Sequence, residues 1–133
     1  MNQEFERRDA QLIGLSVGTV EQHNRWIEDI NTIFLCRVTF PIVADPIRMV
    51  SRIYDMIDEQ EGRGSNLPIR SVFFIDPKRI IRAIISYPYT TGRSIQEILR
   101  VLDALKLHDQ HGVYTPCNWM VTLNSIELIL ARR

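Results

Sequence analysis

Cysteine is scarce in this chain: two among 133 residues, Cys36 and Cys117, far apart and without C-x-x-C spacing. That pattern argues against a disulfide scaffold and against a zinc site, and it points to a reducing cytoplasm. Net charge is lacking as well. Sixteen Lys and Arg balance sixteen Asp and Glu, so no bulk field draws the chain to nucleic acid or to an anionic membrane. No apolar run approaches a bilayer span, and the opening MNQEF lacks signal-peptide character. Repeats, low-complexity tracts and an interdomain linker are missing. So are a Ser/His/Asp order, a phosphate loop and an H-E-x-x-H pair. No metal or organic cofactor is implied.

What is present fits one domain with a single core, at an ordinary 45% hydrophobic and 24% charged. Gln11–Val17 (QLIGLSV) reads as a short buried strand. Thr19 opens T-x-x-Q, a capping box with Gln22, so Val20–Ile30 is expected as a helix. Thr39–Ala44 reads as a strand whose start Pro41 places at an edge. Asp45-Pro46 supplies an N-cap and a first-turn proline for a helix over Ile47–Met56. Residues 58–68 are polar and glycine-containing, and read as an exposed loop. Ser71–Ile75 and Ile80–Tyr87 flank the turn Asp76–Arg79 and predict an antiparallel hairpin.

Tyr87-Pro88-Tyr89-Thr90-Thr91-Gly92-Arg93 then leads into a helix over Ser94–Leu107. Ser94 and Glu97 form a second capping box, and Ile95, Ile98, Leu99, Leu102 and Leu105 share one face. His108–Trp119 reads as irregular, and Ser125–Arg133 as a short terminal helix. The order is β-α-β-α-β-β-α, a mixed sheet with helices on both faces.

Two arginines stand out by position. Arg93 precedes a capped helix N-terminus, where backbone N–H groups and a guanidinium can both serve an anion. Arg70 sits where a loop enters the strand SVFFID. Each also reads as an ordinary surface arginine. If the ends of their elements neighbour one another, the two would make a pocket for an oxyanion or thiolate. Cys36, ahead of a strand, reads as a half-buried inert thiol, and Cys117 as incidental. His23 and Trp26 lie three apart on one helix face and read as packing. Glu28-Asp29 and Asp58-Glu59 read as solvated surface.

The ordered pieces resemble the one-cysteine peroxiredoxins. Leu12–Val17 followed by Val20-Glu21-Gln22-His23 and Trp26 is similar to the segment after their peroxidatic helix. Phe40-Pro41-Ile42-Val43-Ala44-Asp45 resembles their F-P-I-x-A-D, and Arg70–Asp76 their R-x-x-F-I-I-D. Tyr87–Arg93, Glu97-Ile98-Leu99-Arg100 and Thr115-Pro116-Cys117-Asn118-Trp119 resemble the one-cysteine branch in particular. The resemblance spans about residues 4–119.

It implies a thioredoxin-like α/β fold over residues 1–107 and a tail over 108–133 that diverges after residue 119. It implies thiol-dependent reduction of hydrogen peroxide or alkyl hydroperoxides, a thiol reductant and a homodimer. By motif, Arg70 and Arg93 would hold the thiolate and position the peroxide.

Departures bear on that expectation. The sequence holds no P-x-x-x-T-x-x-C, and NQEFERR resembles the end of the helix that carries it in the family. The chain is therefore expected to be truncated just after the catalytic cysteine and inactive alone. The alternative is a non-catalytic interaction module, with a third reading in which Cys36 or Cys117 acts as a redox thiol. Gly18 stands where the family usually has aspartate. In the family a further strand lies between LIGLSV and SVFFID. Without it the isolated chain is expected to repack, to pair with another chain, or to be poorly stable.

Overall fold

A computed structural model of the chain describes residues 2–57 and 67–120. Its elements run α1 (Asn2–Glu6), β1 (Gly14–Ser16), α2 (Val20–Ile33), β2 (Ile42–Ala44), α3 (Met49–Ile53), β3 (Arg70–Ile75), β4 (Ile81–Tyr87) and α4 (Ile95–His111). The expected β-α-β-α-β-β-α order is present, preceded by a short helix. The mixed sheet is divided in two: β1 pairs parallel with β2, and β3 pairs with β4. The chain packs as two compact units. One holds the residues up to Ser71 with Ser86–Gly92, and the other holds Val72–Ile85 with the residues from Arg93 onward.

The first unit is built on β1–α2–β2. Gly14 pairs with Ile42, Leu15 with Val43 and Ser16 with Ala44. Both strands are shorter than their sequence runs. β2 starts after Pro41, whose ring removes a ladder donor, although the Pro41 carbonyl still accepts from Gly14 N–H at 2.9 Å. Thr19 caps α2 as expected, with the full reciprocal box: Gln22 N–H donates to Thr19 Oγ1 and Thr19 N–H donates to Gln22 Oε1. The helix runs three residues beyond the expected Ile30.

The expected helix over Ile47–Met56 is corrected. α3 spans only Met49–Ile53, and Arg48 precedes it in the left-handed region at φ 59°. Asp45 does not cap a helix starting at Pro46. Its carboxylate reaches across the turn and accepts from Val50 N–H (3.2 Å), Ser51 N–H (2.8 Å) and Ser51 Oγ (2.8 Å). Asp45 is 3% exposed and Ser51 0%. Burial pushes the Asp45 carboxyl up, but the donors from Ser51 and Val50 outweigh it and hold the group below its ordinary 3.8. With His23, these make the interior of the unit unusually polar, with Phe5 and Met56 as its buried apolar side chains.

The second unit carries most of the hairpin and α4. Five residues connect β3 to β4, a length that permits only antiparallel pairing. Asp76 shapes the turn: its Oδ1 accepts from Lys78 and Ile80 N–H, both at 2.9 Å, and Arg79 takes φ 66°. Arg82 on β4 makes two bonds to the Asp109 carboxylate of α4, at 3.0 and 2.9 Å.

Ser94 caps α4 by accepting from Glu97 N–H at 3.3 Å. The expected return bond from Glu97 is not made. Arg100, one turn on, takes both Glu97 oxygens at 2.6 and 2.8 Å. α4 ends at His111, four residues past the expected Leu107, where Gly112 turns left-handed at φ 64°. Leu107, Val113 and Trp119 then form a buried apolar cluster against Ala104. The expected helix over Ser125–Arg133 lies outside the described residues.

Candidate functional site

Arg70 opens β3 at the point where the loop becomes extended, and its side chain is exposed. Its Nε donates to the Tyr89 carbonyl at 2.5 Å. One cross-strand contact beside it fixes the register: Ser71 Oγ and Ser86 Oγ lie 2.9 Å apart. The Tyr87–Gly92 segment is itself closed by Thr91 N–H donating to the Pro88 carbonyl at 2.9 Å. Arg70 is thus tied through Nε to the turn that leads to Arg93. An Nε bond leaves the two terminal nitrogens of a guanidinium as the fork that recognises an oxyanion.

Arg93 is exposed, immediately before the Ser94 cap of α4. Gly92 beside it has open space where a Cβ would stand. Among the described residues neither Arg70 nor Arg93 forms an ion pair. Sequence reasoning passed over Tyr89, because a main-chain acceptor nineteen residues away leaves no pattern in the sequence.

The remaining candidates separate. His23 is buried, and its Nε2 has no hydrogen-bond partner among the described residues. A Cβ built on Gly18 would lie 3.0 Å from that nitrogen, so the ring rests on the glycine. Trp26 is 51% exposed. The packing reading holds for His23 and is corrected for Trp26: α2 turns His23 inward and leaves the indole at the surface.

Cys36 is exposed rather than half-buried, because it follows the end of α2 instead of entering a strand. Its Sγ lies 3.9 Å from the Ile30 carbonyl. Cys117 is also exposed, in a turn where Asn118 takes φ 57°. Neither thiol sits at a helix N-terminus, the position that lowers a thiol's pKa. No group of three metal-ligating side chains occurs among the described residues.

The order of elements agrees with the family comparison, in which the AhpC/TSA family model matches residues 1–84. The chain belongs to the AhpC/TSA family. It is 50% identical over 121 residues to the mitochondrial peroxiredoxin of Saccharomyces cerevisiae, which covers 87% of this chain and 46% of that protein. A Dictyostelium discoideum one-cysteine peroxiredoxin is 39% identical over 117 residues, with 88% of this chain and 48% of the relative covered.

The fold agrees. The solved yeast mitochondrial one-cysteine peroxiredoxin superposes with a TM-score of 0.81 at 50% identity, over 89% of this chain and 58% of the other. Peroxiredoxin 6 of Arenicola marina gives 0.81 at 33% identity, over 96% and 64%. The α/β architecture of this AhpC/TSA chain is therefore that of the thioredoxin-like peroxiredoxins. The chain spans about half the length of the curated relatives it matches.

Proposed function

We propose that this chain carries the arginine side of a thiol-dependent peroxidase site, acting on hydrogen peroxide or alkyl hydroperoxides with a thiol reductant. The carrying observation is the Arg70–Tyr89 bond, which orients an exposed guanidinium that forms no ion pair among the described residues. In the reaction a cysteine thiolate attacks one peroxide oxygen, the O–O bond breaks, and the sulfur becomes sulfenic acid. The departing oxygen takes a proton and leaves as water or alcohol. Arg70 and Arg93 would lower the cost of the thiolate and neutralise charge on the leaving oxygen.

The chain alone is proposed to be inactive, since its sequence holds no P-x-x-x-T-x-x-C and both of its thiols lack an activating helix N-terminus. The alternative reading is a non-catalytic thioredoxin-like dimerisation module in the cytoplasm. The solved yeast relative was studied for thiol resolving via glutathione/thioredoxin systems. That makes both reductants the ones to supply.

Peroxide consumption by the purified chain should match the no-protein rate with dithiothreitol, glutathione or thioredoxin. Robust turnover abolished by Cys36→Ser or Cys117→Ser would overturn the inactive-alone reading in favour of a relocated redox thiol.

A further inference from the structure

The end of α2 displays an apolar tip that the peroxidase reading does not use. Ile33, Phe34 and Leu35 are consecutive and 71%, 70% and 92% exposed. The tip is held in place at its base. Asn31 Oδ1 accepts from Val38 N–H at 2.9 Å, which closes the loop across seven residues. Thr32 Oγ1 donates to the Glu28 carbonyl at 2.8 Å, and Phe34 N–H donates to the Ile30 carbonyl at 2.9 Å. Leu35 takes φ 48°, a left-handed conformation that a leucine adopts only at a cost. Polar side chains thus serve the base of the loop, and the apolar ones are pushed outward.

From Ile30 to Ala44 the sequence carries a single charge, Arg37. It is exposed, directly beside the tip, and makes no ion pair among the described residues. An exposed apolar tip with an adjacent cation that forms no ion pair among the described residues matches the boundary of an anionic bilayer, which offers acyl chains under a layer of phosphates. A fluid apolar phase also needs no preformed pocket to receive a protruding Phe-Leu pair. The balance of charge over the whole chain supplies no long-range attraction, so the contact is local and short-ranged.

We propose that the Ile33-Phe34-Leu35 tip seats this protein on anionic phospholipid membranes, the side chains entering the headgroup boundary and Arg37 meeting lipid phosphate. Flotation of the full chain with phosphatidylcholine/phosphatidylserine vesicles tests it. The chain should float with these vesicles and less with pure phosphatidylcholine. The double substitution F34S/L35S should weaken binding about tenfold or more, by the apolar area withdrawn. Arg37→Gln should remove the salt-sensitive part.

A second measurement does not depend on the double variant folding. In Phe34→Trp, with Trp26→Phe and Trp119→Phe as background, acyl-brominated lipid should quench the introduced indole. Absence of flotation, binding unchanged by F34S/L35S, or an unquenched indole would each overturn the proposal. So would capture of the tip by a protein partner in vesicle-free solution with no lipid binding.

Discussion

The two compact units keep different things inside. In the unit built on β1–α2–β2, the most buried groups include Asp45, Ser51 and His23, whereas in the unit of the hairpin and α4 they are Phe74, Ile98, Leu107, Val113 and Trp119. The first therefore rests, beside the buried Phe5 and Met56, on the donors that satisfy Asp45, and its weak points include individual hydrogen bonds. The second is held by removing apolar area from water, and its weak points are individual side-chain volumes. Similar helices and strands thus stand on different energetic grounds.

The contrast can be broken from the apolar side first. Trp119→Ala should cost about 3–5 kcal/mol in denaturant unfolding, the range for a buried aromatic. Trp119→Phe should cost far less, because the indole N–H has no partner among the described residues and nothing hydrogen-bonded is lost. A loss of similar size in both variants would mean that the indole nitrogen, and not the area, matters.

On the polar side, Ser51→Ala should cost about 1–3 kcal/mol, because it strips a donor from a buried carboxylate. That loss should also depend on pH. The Asp45 carboxyl lies below its ordinary value, so its stabilising contribution is complete above pH 3.8 and is lost as pH falls through the lowered value. Acid titration should therefore weaken the wild type more than Asp45→Asn. Equal acid sensitivity in the two would remove Asp45 from the account.

Smaller effects refine the comparison at the two long helices. Thr19→Ala should cost about 1 kcal/mol, since it dismantles a complete capping box. Glu97→Gln should stay within about 0.5 kcal/mol, because the half-exposed pair with Arg100 is lost while the side chain is freed to return to the cap. A Glu97→Gln loss as large as that of Thr19→Ala would show that the Arg100 pair contributes more than an exposed pair ordinarily does.

Those helices also show how far the sequence could be read. The S/T-x-x-E/Q signal located both N-termini, and the Asp76 turn located the hairpin, because these interactions span four residues or fewer. Glu97 was misassigned because two partners, Ser94 and Arg100, compete for one side chain, and a motif names only one of them. The end of α4 was legible in Gly112 and in the histidines of its last turn, but the apolar spacing stopped earlier at Leu107. Asp45 defeated local reading: its bonds run five and six residues forward, past a proline that suggested a nearer helix start. At the site, Arg70 and Arg93 stood out by position, at a strand entrance and before a capped helix, and their roles came from motif resemblance. The Arg70–Tyr89 bond came only from folding, since it joins residues that the sequence separates by a whole hairpin.

Gly18 and His23 carry a consequence for how the family can drift in sequence. The ring nitrogen lies 3.0 Å from where any side chain at position 18 would begin, so the two positions share one space. A larger residue at 18 requires a shifted ring or a smaller residue at 23. A polar one could instead supply the partner that the nitrogen lacks. Among descendants of this chain, substitutions at 18 and 23 should therefore arise together, as linked rather than independent changes.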